Sequence, residues 1–252
     1  MGTIDIHGYF GNSPIPGQAA NRAQVSDLLK ARGVERACLF SAHAISVDPL
    51  AGNRMISAIT DSSDSLYGVL VAHTNRPEPS IQAIREMMGS RQFVGLALTS
   101  AEPDRSISRS SAEDILQAHR RYGKPLFLYA PHFQAVRQIA EIATAYPMLR
   151  IVVLGMGGND WRQAAEVAHR ITNLYLETSG VLDCSKIPYA VSQLGAHRIL
   201  FGSGFPHTDT VAAMGLIEDS GLSEADRKQI LSLNAQKLFG WSEAVREEGE
   251  TS

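Results

Sequence analysis

Short apolar runs alternate along the chain with longer stretches whose apolar residues recur at helical spacing. The runs predict eight strands, at Thr3–His7, Arg36–Phe40, Leu66–Val71, Phe93–Leu98, Pro125–Tyr129, Arg150–Leu154, Asn173–Glu177 and Arg198–Phe201. The stretches predict helices near Ala23–Arg32, Pro49–Ser62, Pro79–Gly89, Ser111–Tyr122, Phe133–Tyr146, Asp160–Arg170, Cys184–Leu194 and Thr208–Ser220. Strands that alternate with helices in this way are typical of βαβ units and a parallel sheet.

The number of strand–helix units favours a closed barrel over an open sheet. A doubly wound sheet usually has fewer strands and a glycine fingerprint after the first one, whereas His7–Pro14 opens no helix and makes a poor phosphate cradle. We therefore predict an α/β fold, a single (β/α)8 TIM-type barrel over residues 1–245. Ser223–Leu231 and Ala235–Phe239 predict a C-terminal helical cap, and residues 246–252 predict a disordered acidic tail.

Composition places the chain among ordinary globular proteins. It has 252 residues, of which 44% are hydrophobic and 19% charged, and its net charge of −3 gives no basis for binding nucleic acid or anionic membranes. No apolar run reaches the ~18 residues that span a bilayer, and the N-terminus has no signal-peptide pattern. Cys38 and Cys184 are far apart and are interpreted as reduced, buried thiols. Together, these features predict a cytoplasmic protein.

A series of short motifs carries a family resemblance. They are Ile4–Gly11, Gly52-Asn53, Phe93–Leu96, Gly123–Tyr129, Val152–Gly158, Phe201–His207 and Asn234–Gly240. In this order and spacing the chain resembles the amidohydrolase-related branch of the amidohydrolase superfamily, a group of (β/α)8 barrels that includes carboxylate-substrate hydrolases, decarboxylases and lactonases. The resemblance implies a small-molecule substrate at the barrel mouth, and a homodimer stays open because relatives often dimerise.

The same resemblance implies where a divalent metal would be held, and here the chain departs from the family. The first-strand His-x-His appears as His7 and Tyr9, the fifth-strand His as Tyr129, the sixth-strand His as Gly155, and the eighth-strand Asp, which acts as base, as Gly204. Zinc and hard divalent cations need three or four converging donors, and neither a glycine nor a neutral phenol is a strong one. We therefore predict no metal and no other cofactor, although a divalent metal such as zinc on other ligands stays open.

Histidines gather at the predicted carboxyl ends of the strands, where barrel active sites are built. Of the eight histidines, five are placed there. We predict acid–base roles for imidazoles, stabilisation of negative charge by phenols, and a general base in the nearest carboxylate, for the catalytic set His7, Tyr9, Tyr129, His207 and Glu177. The predicted ligand-binding residues are His43, His73, His132, Ser203, Gly155 and Gly204.

Each of these residues also has a structural interpretation. The histidines could be hydrogen-bonded loop residues, and the two tyrosines could fill the volume of a lost metal cluster. The carboxylate of Glu177 could pair with a helix if it points outward, and Gly202-Ser203-Gly204 could be a plain turn, since no Gly-x-Ser-x-Gly signature is present.

Three functional hypotheses follow. The leading one is metal-independent hydrolysis or lyase chemistry on an ester, lactone or similar carbonyl compound at the barrel mouth. Some lactonases of the resembled branch work without a metal, and one such type carries a tyrosine where this chain has Tyr129. The alternatives are a non-catalytic pseudoenzyme that binds a small ligand or a protein partner, and a metal-dependent hydrolase with a non-standard ligand set.

Overall fold

The predicted barrel is present in the computed structural model, which describes residues 2–11, 21–100 and 106–241. Eight parallel strands form one sheet in chain order. They are β1 (Thr3–Phe10), β2 (Val34–Ser41), β3 (Leu66–His73), β4 (Phe93–Thr99), β5 (Leu126–Tyr129), β6 (Ile151–Leu154), β7 (Leu174–Glu177) and β8 (Ile199–Leu200). The fold class predicted from the hydrophobic pattern is therefore confirmed.

Helices follow the strands along the chain. They are α1 (Arg22–Ala31), α2 (Ala42–Ser46), α3 (Pro49–Thr60), α4 (Pro77–Met87), α5 (Arg109–His119), α6 (Phe133–Ala145), α7 (Trp161–Arg170), α8 (Lys186–Leu194), α9 (Thr210–Glu218), α10 (Glu224–Lys228) and α11 (Asn234–Phe239). Short 3₁₀ turns occupy Arg120–Tyr122, Gly155–Asp160 and Ala196–Arg198, and a π turn, Gln229–Leu233, joins α10 to α11. None of the helices in these described parts of the chain is long and apolar enough to cross a membrane.

The barrel closes between its first and last strands through backbone hydrogen bonds. The N–H of Ile6 donates to the carbonyl of Phe201 at 3.1 Å, and the N–H of Tyr9 donates to that of Phe205 at 2.6 Å. In return the N–H of Gly204 donates to the carbonyl of His7 at 2.8 Å. Because β8 itself is only two residues long, the loop that follows it forms much of this seam.

Alternate residues of each strand pack into two separate apolar layers, as expected for strands buried on both faces. On β5, for example, Phe127 points into the barrel, whereas Leu126 and Leu128 pack against the surrounding helices. The C-terminal cap covers the lower end of the barrel, where the ring of Phe239 stacks on that of Phe127 with centroids 6.5 Å apart. The C-terminal cap thus closes the lower end of the barrel, and the interior opens at the carboxyl ends of the strands.

Three sequence predictions need comment. The sequence predicts His43 just past a strand end, but His43 lies in α2, a helix that the pattern missed because it is only five residues long and follows β2 directly. The hydroxyl of Ser41 caps that helix by accepting the N–H of Ala44 at 3.0 Å. The predicted tail at residues 246–252 lies outside the described residues. Both Cys38 and Cys184 are free thiols, but only Cys38 is buried as predicted, whereas Cys184 is partly exposed.

Candidate active site

A bulge in β1 brings a histidine into the barrel mouth. The pairing of β1 with β2 slips between Asp5 and Gly8, so that Ile6 and His7 together face Cys38. Ile6 belongs to the interior apolar layer, and the ring of His7 lies against that of Phe40, with centroids 4.7 Å apart. A bulge is a common means of re-aiming a side chain next to an active site. Here it turns both Ile6 and His7 inward.

His7 is the centre of a buried hydrogen-bonded chain of four side chains. Its Nε2 lies 2.8 Å from the hydroxyl of Tyr9, and its Nδ1 lies 3.0 Å from Oγ of Ser179. Oγ of Ser179 donates its only proton to Oε2 of Glu177 at 2.8 Å, so it must accept from Nδ1–H of His7. This assigns the imidazole proton to Nδ1 and leaves Nε2 to accept the phenolic proton of Tyr9.

Glu177, at the end of β7, points into the barrel and is fully buried. Its Oε1 accepts the N–H of Ser179 at 2.7 Å, and its Oε2 accepts the N–H of Gly155 at 3.0 Å. The carboxylate is therefore held by backbone donors rather than by a cation, as buried carboxylates require. Its position excludes the alternative of an outward salt bridge to a helix.

Burial keeps the phenol of Tyr9 protonated. Desolvation raises the pKa of Tyr9 well above its ordinary value, and the charges of Glu177 and Tyr129 raise it further. A phenol of this kind is a hydrogen-bond donor rather than a ready nucleophile. Its proton is shared with His7, so Tyr9 is the end of the chain that faces the cavity.

Tyr9 and His207 border a cavity of about 310 Å³ at the mouth. Their rings meet edge to face with centroids 4.9 Å apart. Partial burial lowers the pKa of His207, and the charge of His7 lowers it further, so the imidazole of His207 is neutral at pH 7. A neutral imidazole beside a phenol can accept a proton while the phenol donates one. The described residues that line the cavity are His7, Tyr9, Tyr129, Gly155, Gly158, Ser179, Gly180, Gly204, His207 and Thr208.

Ser203 faces away from the cavity and belongs to a second buried group. Its Oγ donates to Oδ2 of Asp5 at 2.5 Å, and its N–H donates to Oδ1 of Asp5 at 3.0 Å. Oδ1 also accepts the N–H of His7 at 3.1 Å. Desolvation raises the pKa of Asp5 to about 6, against the lowering effect of its hydrogen bonds to Ser203 and His7. This group ties the bulge in β1 to the loop after β8, so Ser203 is placed to position backbone rather than to touch a ligand.

The remaining predicted histidines lie apart from the cavity lining. Nε2 of His73 lies 2.7 Å from the carbonyl of Ala44, which anchors α2 to the end of β3. Nδ1 of His132 accepts the N–H of Ala135 at 3.3 Å and caps α6. His43 lies within α2. None of these three histidines is among the described residues that line the cavity. The hydrogen bonds of His73 and His132 give those two residues a structural role.

The donor set does not fit a tightly held divalent metal. At the five positions where the resemblance implies ligands, His7 has both ring nitrogens in hydrogen bonds, and Gly155 and Gly204 have no side chain. These glycines also have φ values of +68° and +73°, a region that residues with side chains rarely adopt. Among residues 2–11, 21–100 and 106–241, no three His, Cys, Asp or Glu side chains converge to hold a metal ion.

Three residues of the site were missed by sequence reasoning, namely Asp5, Ser179 and Gly202. The signals that could have found them are weak but present. Asp5 is a carboxylate between two isoleucines in a buried strand, and Ser179 follows Glu177 by two residues at the carboxyl end of β7. Gly202 is discernible only in three dimensions, because a Cβ there would overlap the carboxylate of Glu177.

Comparison with known proteins supports the same architecture. The family model described as amidohydrolase matches residues 39–241. The fold is similar to that of 5-carboxyvanillate decarboxylase from Sphingomonas paucimobilis, with a TM-score of 0.76 and 15% identity over 94% of this chain and 98% of that one. It is also similar to a dihydroxybenzoic acid decarboxylase from Polaromonas sp. JS666 with bound manganese and the inhibitor 2-nitroresorcinol, with a TM-score of 0.76 and 18% identity over 95% and 97% of the two chains.

One curated relative matches in sequence over a short region. Gamma-resorcylate decarboxylase of Polaromonas sp. is 42% identical over 67 residues, which are 27% of this chain and 21% of that protein. The match thus spans about a fifth of the length of the relative. At these levels of identity and coverage, the structural neighbours establish the fold. They do not establish the chemistry, which depends on the residues of the site.

Proposed function

Because the chain belongs to the amidohydrolase family, we propose that it acts on a small organic carbonyl compound, such as an ester or lactone, without a bound metal. The reaction takes place at the C-terminal mouth of the barrel, where active sites of this fold are built. The observation that carries the proposal is the buried chain Tyr9–His7–Ser179–Glu177, which ends in a phenol at a cavity beside the neutral imidazole of His207.

In the hydrolytic form, His207 is the general base. It takes a proton from a water molecule as the water oxygen bonds to the carbonyl carbon, and the carbonyl oxygen acquires negative charge. The hydroxyl of Tyr9 turns its single proton from Nε2 of His7 to that oxygen, and Tyr129, which lines the same cavity, supplies a second phenol. When the tetrahedral intermediate collapses, the bond to the leaving oxygen breaks and His207 returns its proton to that oxygen.

The hydrogen-bonded chain behind Tyr9 holds the phenol in place before the substrate binds. His7 accepts the hydrogen bond of Tyr9 through Nε2, and its Nδ1–H is oriented by Ser179 and Glu177. A histidine whose far nitrogen is fixed by a carboxylate is oriented in the manner of a catalytic triad, here with a phenol in place of the nucleophile. Each of these side chains except Tyr9 is buried, which keeps competing water away from the chain.

Lyase chemistry is the second form of the same proposal. The relatives are named as decarboxylases, and in such a reaction Tyr9 would deliver the proton that replaces the lost carboxyl group. The manganese belongs to the Polaromonas protein. At the five positions where the resemblance implies metal ligands, this chain has one histidine, two tyrosines and two glycines, which supports a reaction driven by hydrogen bonding and proton transfer.

The test is turnover with metal content under control. The purified protein is treated with a strong chelator, its metals are measured, and it is assayed on phenyl acetate, small lactones and hydroxybenzoates. We expect activity to persist at negligible metal content and to fall in Tyr9→Phe. Loss of activity on chelation with rescue by zinc or manganese would overturn the proposal in favour of a metal-dependent hydrolase with a non-standard ligand set.

A non-catalytic binding protein is the second candidate function. The observation that favours it is the presence of positive-φ glycines at two of the positions where the family carries metal donors, including its base. This candidate predicts saturable binding of carbonyl compounds with no turnover of any compound that binds, both in the wild-type protein and in His207→Asn.

A further inference from the structure

A second cavity opens beside the first at the barrel mouth. It has a volume of about 200 Å³, and Tyr9 and Tyr129 line both cavities. The two spaces therefore meet at these two phenols. A ligand with a reacting group between the phenols has polar residues of the first cavity on one side and the interior of the barrel on the other.

Apart from the hydroxyl-bearing residues Tyr9, Thr99, Ser100 and Tyr129, the described walls of the second cavity are apolar. They include Phe40, Val71, Ala97, Phe127 and Leu154, all of which belong to the interior layer of the barrel and are buried. An engineered apolar cavity of about 150 Å³ binds benzene, so a space of about 200 Å³ can hold one aromatic ring. Because these residues come from five different strands of a packed barrel, the space is pre-formed rather than a surface groove.

The charges of the described residues around the two cavities disfavour an anion. No lysine or arginine occurs among the described residues that line either one. In the hydrogen-bonded chain that ends in Tyr9, the charged side chain is the carboxylate of Glu177. The lowered pKa of His207 leaves the imidazole of that residue uncharged at pH 7. A carboxylate substrate would lose its hydration here without gaining a counter-charge, which is costly.

From the joined cavities and their charge we propose that the substrate is an uncharged carbonyl compound bearing one planar apolar group. That group occupies the space between Phe40, Val71, Ala97, Phe127 and Leu154, and the carbonyl lies between Tyr9 and Tyr129. The inference rests on the hydrolytic form of the proposed function, which supplies the carbonyl, and it speaks against the decarboxylating form. It differs from what the names of the relatives describe, since those proteins act on aromatic acids.

Ketones test this inference independently of catalysis, because they bind like esters but cannot be hydrolysed. Dissociation constants are measured by titration calorimetry for acetophenone, for benzoate, which replaces the methyl ketone by a carboxylate, and for 2-butanone, which lacks the ring. We expect acetophenone to bind about 10-fold or more tightly than either of the others, since the ring gains burial and the carboxylate is penalised. Equal or tighter binding of benzoate would overturn the inference.

Two variants locate the ring. Ala97→Leu fills the second cavity and should weaken acetophenone about 10-fold while leaving 2-butanone unchanged, and Ala225→Leu on the exposed α10 is the control with no expected effect. If Ala97→Leu does not fold, Leu154→Ala enlarges the same space and should improve the binding of 2-acetylnaphthalene relative to acetophenone. Unchanged binding in whichever variant folds places the ring elsewhere and contradicts the inference.

Failure of the proposed function would look different. Tight acetophenone binding that is sensitive to Ala97→Leu, without turnover of phenyl acetate, would remove the catalytic proposal and keep the ligand class. Turnover of phenyl acetate together with preferential binding of benzoate would keep the catalytic proposal and remove the uncharged ligand class.

Discussion

The backbone of Gly202 packs directly against the carboxylate of Glu177, with no room for a side chain between them. A Cβ on Gly202 would overlap Oε1 of Glu177 and lie 2.8 Å from Cβ of His7. The missing side chain of one residue is therefore what allows two members of the buried chain to reach each other.

Gly202→Ala should break the hydrogen-bonded chain Tyr9–His7–Ser179–Glu177. The added methyl group displaces Glu177 and His7, so we expect activity to fall by at least about 100-fold and stability by about 1–3 kcal/mol. Gly215→Ala is the matched control, because nothing lies within 4 Å of its new Cβ in α9. That variant should keep full activity and gain about 0.5–1 kcal/mol of stability, as expected when alanine replaces glycine in a helix. Kinetics and urea unfolding of both variants provide the comparison.

Tyr9→Phe should remove the proton donor while leaving the cavity in place. The loss of one donor to a developing oxyanion typically costs about 100- to 1,000-fold in kcat. We expect a fall of this size, with little change in the affinity for acetophenone, because the ring of residue 9 remains. Tyr67→Phe, far from the mouth and bonded only to the carbonyl of Asp64 at 3.4 Å, is the control. Equal activity of Tyr9→Phe and wild type would remove Tyr9 from the mechanism.

The acid limb of the pH–rate profile should report His207. A general base must be unprotonated, and burial lowers the pKa of His207, so activity is expected to be level near pH 7 and to fall in acid with a midpoint below 6.5. His207→Asn should lose at least about 100-fold of the rate. The same variant should lose the acid limb from its residual activity. A midpoint clearly above 6.5 in the wild type would contradict the assignment of His207 as the base.

Asp5 should make the wild type less stable as pH rises. Its folded-state pKa is raised from 3.8 to about 6, so its favourable contribution is fully present below about pH 4 and is lost as pH rises through 6. Relative to Asp5→Asn, the wild type should lose on the order of 3 kcal/mol between pH 4 and 7, since each pKa unit corresponds to about 1.4 kcal/mol. Urea unfolding across this range tests it, with Asp183→Asn, at an exposed carboxyl whose pKa is lowered, as the control. Parallel curves for the wild type and Asp5→Asn would contradict the expectation.

Lys124 should stabilise the barrel at the opposite end from the site. Its Nζ donates to the carbonyls of Met88, Ser90 and Phe93 at 2.6, 2.8 and 2.5 Å, where the chain passes from α4 into β4. Lys124→Met leaves those carbonyls without this donor, so we expect a loss of about 2 kcal/mol in the free energy of unfolding, with unchanged activity. Lys237→Met in α11 is the comparison, and equal stability of the two variants would show that the three bonds contribute little.

The fold was predictable because each strand and helix carries its own pattern. Apolar runs such as 126–128 and Ile151–Leu154 are buried on both faces, so their sequences are uniformly hydrophobic and easily found. The short α2 was missed because five residues offer too few turns for a helical period, and because its cap, Ser41, is also the last residue of β2.

The site was predictable only in part, since several of its contacts depend on departures from regular strand geometry. Sequence reasoning selected His7, Tyr9, Tyr129, His207 and Glu177, and the structure brings all five to one region of the mouth. It did not anticipate that Ser179 would bridge His7 and Glu177, nor that Asp5 and Ser203 would pair behind the cavity. The first depends on the bulge in β1, and the second on the loop after β8, neither of which leaves a periodic signature.

The left-handed backbone at Gly155 and Gly204 has a consequence for attempts to build a metal site into this barrel. Placing a histidine at residue 155 or an aspartate at residue 204 would impose a local penalty of about 1 kcal/mol or more, whether or not an ion was available. Because a tightly held ion needs at least three donors, neither substitution alone would bring a compensating gain. A designer would therefore have to reshape both loops before any added ligand could contribute.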